Sequence, residues 1–216
     1  MATQDRAIRT RQAIIAAAAT VFEECGYQTA TITKILQVAG VTKGALYFHF
    51  KSKEDLAQAV LSEGQAALKL PTRTIKTQEL VDLVMVHAYR LQTDPLVRAS
   101  VHLNLDPYAH SVDRSLPFRE FGEICRRIFT SAKSQGELLP HAEVAEVADV
   151  LVGSFAGIQA MSEALNGYKD LGERAGALLR YVLPSIVVPS GLASLDYAPD
   201  RGARVHAEAT ALQSQS

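Results

Sequence analysis

Tryptophan is absent from the 216 residues of this chain, and cysteine occurs only twice. Cys25 and Cys125 lie far apart and match no metal-binding or redox spacing, which argues against a zinc cluster, a CxxC redox motif and a disulfide-stapled scaffold. Both fall within apolar helical patterns, where a free thiol packs as a small hydrophobic group. This cysteine usage indicates a reducing cytoplasm.

Strand patterns and long apolar runs are nearly absent as well. No apolar stretch approaches the roughly 20 residues that a membrane-spanning helix needs. Arginines followed by the apolar stretch 13–22 resemble the basic and apolar regions of a signal peptide. However, Ile8, Ile15 and Phe22 recur every seven residues and two acids follow at once, which indicates a one-faced helix. We therefore predict a cytoplasmic protein with no membrane partner.

Catalytic and metal-binding patterns are missing too. The histidines show no metal-ligand spacing, and no Ser/His/Asp or Cys/His order is suggested locally. The segment 40–44 faintly suggests a phosphate loop, but it lacks the Gly-Lys-Ser/Thr ending and a preceding strand. We predict no catalytic residue, no metal and no cofactor. The rival classes are an enzyme and a helical scaffold that does not bind DNA.

Charge is distributed unevenly although the formal net charge is only −1. Residues 1–53 hold seven Lys/Arg against three acids, whereas the remainder holds 15 basic and 20 acidic residues. A basic head on an acidic body is the asymmetry expected of a protein whose head meets phosphates.

Helical periodicity runs nearly end to end, so we predict an all-α fold. An N-terminal three-helix domain, residues 1–51, is followed by a larger helical domain, residues 52–216. Beyond about Pro189 the chain turns polar and the predicted helices end. Pro184 should kink the last helix or end it early. The predicted helices cover 6–25, 32–39, 42–48, 52–69, 75–92, 95–106, 117–135, 143–166 and 170–187.

Two short helices around a glycine turn form the helix-turn-helix pattern, whose second helix enters the major groove of DNA. Thr31 and Thr42 suit the starts of these helices, and Gly40 breaks the first. Ala45 and Leu46 suit the packed side of the second helix. The predicted DNA-facing residues of that helix are Thr42, Lys43, Gly44 and Tyr47. The predicted phosphate-side residues are Thr31, Thr33, His49, Lys51 and Lys53. Arg6 and Arg9 are expected to add contacts to the DNA backbone.

The stretch TITKILQVAGVTKGALYFHFKSKEDL, residues 31–56, resembles the DNA-binding head of the TetR family. Within that family the chain resembles the γ-butyrolactone autoregulator receptors of antibiotic-producing actinobacteria. The similarity continues through the body, in residues 136–141, 152–159, 183–186 and 200–204. The resemblance implies a repressor that binds a pseudo-palindromic double-stranded operator and controls antibiotic production. A small hydrophobic γ-butyrolactone or butenolide would release it.

The resemblance also implies a homodimer joined by a four-helix bundle, for which helices 143–166 and 170–187 are the candidates. The apolar stripes of these helices are predicted to form the dimer interface, which we call the seam. Packing in the internal core is the alternative role. The stripes are Leu151, Phe155 and Ile158 on the first helix and Leu179, Val182 and Leu183 on the second.

A ligand cavity is expected among helices 75–92, 95–106, 117–135 and 143–166. Core packing is the alternative for every candidate, and for His87 an ordinary helix-face role. Many receptors of this kind carry a tryptophan where this chain has Phe121, which lacks an N–H donor. A relative that responds to antibiotics or biosynthetic intermediates is therefore the alternative. The predicted ligand-binding residues are Val86, Tyr89, Phe121, Val152, Phe155 and Gln159.

Overall fold

The computed structural model describes residues 2–64, 70–106, 113 and 115–213, without the side chains of residues 2 and 3. These residues form helices and no named strand, which confirms the all-α class. The end of the predicted helix 52–69 lies outside the described residues. The helices are α1 Ala2–Thr29, α2 Ile32–Ala39, α3 Lys43–His49, α4 Lys53–Gly64, α5 Lys76–Thr93, α6 Pro95–Leu105, α7 Leu116–Ser134, α8 Val144–Asn166, α9 Leu171–Val182, α10 Pro189–Leu192 and α11 Arg201–Gln213.

The helices pack into two compact units. One unit comprises residues 1–66 and 94–117, and so contains α1–α4 and α6. The other comprises residues 67–93 and 118–216, and contains α5 and α8–α11 with nearly all of α7. The predicted boundary between the DNA-binding domain and the larger domain, at residues 51 and 52, stays a prediction. The packing itself groups α4 and α6 with the short helices.

The N-terminal unit has one hydrophobic core to which each of its larger helices contributes. Ile14, Ile15 and Phe22 of α1 lie on one helical face and are almost fully buried. Leu56 of α4 and Leu103 of α6 belong to the same cluster of buried residues. Gly64 lets α4 approach α6 closely, since a Cβ there would lie 2.6 Å from the Cβ of Ser100. The short helices α2 and α3 therefore pack against a core formed with α1, α4 and α6.

A break near the end of α1 is stabilised from α6. Gly26 has a positive φ of 73°, which favours glycine, and interrupts the regular helix. The backbone N–H of Tyr27 donates to Oδ2 of Asp106 at 3.0 Å. On the same helix pair, Arg98 bonds Glu23 at 2.6 Å. Polar contacts thus hold α6 to α1 in addition to the apolar core.

In the C-terminal unit, α5 packs against α9 and α11. Asp82 of α5 is fully buried and accepts from Nε of Arg73 at 2.6 Å and from Nε of Arg201 at 2.7 Å. A buried carboxylate is tolerated only when it is paired and hydrogen-bonded. Farther along the unit, Glu137 accepts from the first backbone N–H groups of α5, those of Lys76 at 2.8 Å and Thr77 at 2.7 Å.

Two features of the C-terminal region bear on the sequence analysis. Helix α9 ends at Val182 and a 3₁₀ turn, Leu183–Ser185, follows, so the predicted early end at Pro184 is confirmed. Beyond Pro189, however, residues 201–213 form α11, which the sequence analysis missed. Its packed face is made of small residues, Gly202, Val205 and Ala209, which give a weak periodic signal.

We expect Gly202→Ala to destabilise the fold. A Cβ at this position would lie 2.2 Å from the carbonyl oxygen of Met85, and backbone atoms cannot give way as a flexible side chain does. Such overpacking costs about 1–3 kcal/mol. The free energy of unfolding, measured in urea, should fall by that order.

Gly44→Ala is the matched control, because nothing lies within 4 Å of a Cβ there. In the absence of DNA it should leave stability unchanged or raise it by up to about 1 kcal/mol through helix propensity. Equal stability of Gly202→Ala and the wild type would show that α11 is not packed against α5 as described.

Candidate nucleic-acid interface and ligand-binding core

The structure contains the predicted pair of short helices joined by a tight turn. Helix α2 ends at Gly40, whose left-handed backbone, φ 65° and ψ 29°, turns the chain toward α3. Thr31 and Thr42 cap the two helices, each through a hydroxyl oxygen that accepts a backbone N–H at 3.2 Å. The predicted helix-turn-helix layout is therefore present in the N-terminal unit.

Helix α3 has one buried side and one exposed side. Leu46 is fully buried, and Phe50, directly after the helix, is buried as well. Thr42, Lys43, Gly44 and Tyr47 are exposed. Lys43 and Tyr47 share a face, since Nζ of Lys43 lies 5.8 Å from the centre of the Tyr47 ring. The exposed side thus presents a cation, a phenol hydroxyl and a glycine together.

The predicted phosphate-side residues have different surroundings. Thr31 and Thr33 are exposed on α2, and a capping hydroxyl keeps its own O–H to donate. His49 is partly buried, with its ring edge toward Phe48 at a centroid distance of 5.0 Å. Each of these residues stays a predicted DNA contact.

Lys53 has an internal role that its position in the sequence did not indicate. Its ammonium donates to the backbone oxygens of Tyr27 at 2.8 Å and Ala30 at 3.1 Å, where α1 ends. It also lies 4.4 Å from the centre of the Tyr27 ring. A DNA contact by Lys53 stays a prediction, and the structure shows that the residue also holds the end of α1.

Phe48 is a surface residue that sequence reasoning passed over. Its side chain is 79% exposed on α3, beside Tyr47. A phenylalanine exposed to this degree, next to a set of polar DNA-facing residues, is suited to apolar contact with a thymine methyl group. The sequence offered one indication, because Tyr47 and Phe48 directly follow Leu46. Consecutive residues of a helix point in different directions, so the two rings could not both share the core-facing side of Leu46.

Three aromatic rings meet in the C-terminal unit, one each from α5, α7 and α8. The ring of His87 lies 5.5 Å from that of Phe121 and 5.8 Å from that of Phe155, and the two phenyl rings lie 6.1 Å apart. Gln159 is buried one turn after Phe155 on α8. Of the predicted ligand-binding residues, the structure therefore brings Phe121 and Phe155 together directly, with Gln159 on the same side of α8.

The other predicted ligand-binding residues have separate positions. Val86 is buried and Val152 is partly buried. The Tyr89 ring lies against His206 of α11, with centroids 5.3 Å apart, on the side of α5 that also contacts Gly202. No ring contact joins Tyr89 to the three-ring cluster among the described residues. All six residues stay predictions as ligand contacts.

His87 is held in its neutral form by its surroundings. Burial, together with the nearby charge of Arg90, lowers the pKa of the imidazole to about 4. At neutral pH the ring therefore has one N–H donor and one acceptor nitrogen. The sequence analysis had considered His87 for the ligand cavity, with an ordinary helix-face role as the alternative.

Helix α8 carries an exposed apolar stripe on the side opposite the aromatic cluster. Val150, Met161 and Leu165 are 57%, 45% and 65% exposed, and the exposed Gly153 and Gly157 lie on the same side. The predicted seam was wrong for Leu151, Phe155, Leu179 and Leu183, because all four are buried within the single chain. The helical period had marked the core face of each helix, and the exposed stripe lies on another face.

By length and composition alone α8 is long and apolar enough to cross a membrane, and 22% of its most apolar window is buried in the chain. The expectation that no stretch is long and apolar enough was therefore wrong for α8. No group of His, Cys, Asp or Glu side chains that could hold a metal ion occurs among residues 2–64, 70–106 and 115–213.

Comparisons with known proteins are consistent with this geometry. Residues 14–60 match the family model for bacterial regulatory proteins of the tetR family. The A-factor receptor protein of Streptomyces griseus is 36% identical over 90% of this chain and 70% of its own length. A TetR regulator from Streptomyces fradiae, TylP, is 43% identical with a TM-score of 0.82, covering 96% of this chain and 93% of its own. A solved γ-butyrolactone receptor is 31% identical with a TM-score of 0.74, covering 94% and 99%.

The pKa of His87 predicts how stability depends on pH. Between about pH 6.5 and 4 the unfolded chain binds a proton at this position and the folded chain does not. The stabilising contribution is therefore complete above pH 6.5 and is lost as the pH falls. By pH 4.5 the free energy of unfolding should have lost about 2–3 kcal/mol through this group.

Urea unfolding of the wild type and His87→Phe at several pH values between 7 and 4.5 measures this component. The variant should lose stability less steeply on acidification, because it has no imidazole to protonate. Parallel pH profiles for the two proteins would show that His87 is not held neutral.

Proposed function

The chain belongs to the TetR family of DNA-binding transcriptional regulators, and from that membership we propose that it is a repressor released from its operator by a small molecule. The observation that carries the proposal is the two-sided helix α3. Leu46 is buried while Thr42, Lys43, Gly44 and Tyr47 are exposed together. Family membership argues against an enzyme, and a purely structural scaffold would have no need of this exposed set.

We propose that the exposed side of α3 enters the major groove. Lys43 donates to O6 or N7 of a guanine, and Tyr47 contacts a phosphate or a thymine methyl group. Gly44 lets the backbone approach the bases, since no atom occupies the space beside it. Thr31, Thr33 and His49 bond phosphates and set the register but not the sequence.

The operator is proposed to be pseudo-palindromic because the working form is proposed to be a symmetric dimer. The exposed stripe of α8 offers an apolar surface, and Gly153 and Gly157 permit close approach of a second helix. On α9, Tyr181 is 86% exposed and is a second apolar candidate for the interface. A dimer seam accounts for the apolar side of α8 without a membrane, in line with the proposed cytoplasmic location. Two α3 helices would then lie one turn of DNA apart, about 34 Å.

The signal is proposed to be a γ-butyrolactone or a butenolide bound in the C-terminal unit. The aromatic cluster provides an apolar wall, and Gln159 provides a polar group beside it. Similarity to the A-factor receptor and to a γ-butyrolactone receptor supports this class. To release DNA, the ligand must favour the form that does not bind DNA by about 3–5.5 kcal/mol.

A second candidate is a regulator that responds to antibiotics or biosynthetic intermediates instead. The specific observation that favours it is Phe121, whose ring lies in the cluster and has no N–H to donate. Both candidates use the same core and the same DNA-binding side, and both are proposed to act on antibiotic production. They differ in the polar groups that the ligand must satisfy.

We expect Lys43→Ala to weaken specific DNA binding by tenfold or more. The side chain is exposed at the start of α3, where one base contact contributes about 1–3 kcal/mol per subunit. Mobility-shift titration at fixed salt, with a fragment selected by the wild type, measures the loss. Lys169→Ala, which removes an exposed lysine between α8 and α9, is the charge-matched control and should bind normally. Unchanged affinity of Lys43→Ala would refute α3 as the DNA-reading helix.

We expect Met161→Glu to convert the dimer to a folded monomer. Met161 is 45% exposed on the α8 stripe, so a carboxylate there is solvated in the monomer and unpaired in the seam. Sedimentation velocity gives the mass, and circular dichroism reports the helical content. Phe118→Glu on α7 replaces an apolar residue of similar exposure, 40%, and should leave the dimer intact. A dimer of Met161→Glu as stable as the wild type would place the seam elsewhere.

A further inference from the structure

The imidazole of His87 is a polar, partly buried group set among aromatic side chains. It contacts the rings of Phe121 and Phe155, and no described residue hydrogen-bonds to it. A polar group that loses part of its hydration without gaining a protein partner lowers the stability of the fold. An apolar side chain of similar size would fill the same space without that penalty, so packing alone does not explain this residue type.

The electrostatic state of the ring suits it to a neutral ligand. Because burial and Arg90 keep the imidazole uncharged, it presents one donor and one acceptor at neutral pH. Gln159 is buried, has no hydrogen bond to any described residue and lies one turn after Phe155 on α8. Unused hydrogen-bonding capacity is thus present on two of the helices that carry the aromatic rings, α5 and α8.

His87 also lies on a different side of α5 from Tyr89 and Met85. Tyr89 and Met85 belong to the side covered by α11, whereas His87 contacts α7 and α8. Another histidine of the C-terminal unit, His206, lies against Tyr89 on the α11 side. Both histidines contact aromatic rings, but the rings differ and lie on different sides of α5, which makes His206 a suitable control.

We propose that His87 is a specificity-determining residue that donates a hydrogen bond to the carbonyl oxygen of a small, uncharged ligand lying against Phe121 and Phe155. This deepens the proposed function and rests on it. The ligand class is a compact ring or chain that is mainly apolar and carries one carbonyl acceptor. Phe121 contributes apolar surface to this site, and the donor comes from α5 instead of α7.

The test is calorimetric titration with two matched probes. One is γ-butyrolactone carrying a hexyl chain next to the carbonyl, and the other is the corresponding hexyl-tetrahydrofuran, which keeps the ring and chain but lacks the carbonyl. The wild type should bind the lactone about three- to tenfold more tightly than the ether, the range that one neutral hydrogen bond provides. His87→Phe should bind both probes with nearly equal affinity. His206→Phe should keep the preference of the wild type.

Every outcome bears on the proposal. Loss of the lactone preference in His87→Phe alone supports it, whereas an unchanged preference in that variant, or an equal loss in His206→Phe, overturns it. If the wild type binds both probes equally, the polar contact is wrong but an apolar binding site remains. If the wild type binds neither, the lactone class of the proposed function fails and this inference fails with it. Should His87→Phe not fold, judged by circular dichroism, His87→Met replaces it.

Discussion

A helix of seven residues is too short to persist alone in water, so α3 depends on the core beneath it. Leu46 anchors its inner side among residues of α1, α2, α4 and α6, and Thr42 caps its first turn. Once that side is buried, the helical period leaves Lys43 and Tyr47 exposed on another side. The proposed DNA-facing surface is therefore a consequence of core packing, and Thr42 belongs to that surface while it also caps the helix.

Helix α8, like α3, has one buried face and one exposed face. Its buried face, with Phe155 and Gln159, belongs to the aromatic core, and its opposite face is an exposed apolar stripe with two glycines. Under the proposed function, the ligand contacts one face of this helix and the partner subunit contacts the other.

The sequence predicted those helices and helix ends that are set by strong periodicity or by residues with special backbone roles. The short helices, the turn at Gly40 and the end of α9 before Pro184 agree with the structure, because caps, glycine and proline act locally. Residue roles that depend on distant partners were not predictable. The packing of α11 rests on Gly202 against Met85 and on a shared buried carboxylate, Asp82, and such contacts leave no periodic trace. Lys53 likewise followed a basic pattern, while its carbonyl partners lie more than twenty residues earlier. Periodicity also could not distinguish core from seam on α8, since both faces are apolar.

The most direct test of the whole account is selection of binding sites from a random double-stranded DNA library by the purified protein, followed by sequencing. We predict enrichment of one pseudo-palindromic motif with two half-sites about one helical turn apart, as two α3 helices in a symmetric dimer require. Enrichment of a single half-site, or of no motif above the starting library, would contradict the claim that this chain is a dimeric, sequence-specific DNA-binding repressor.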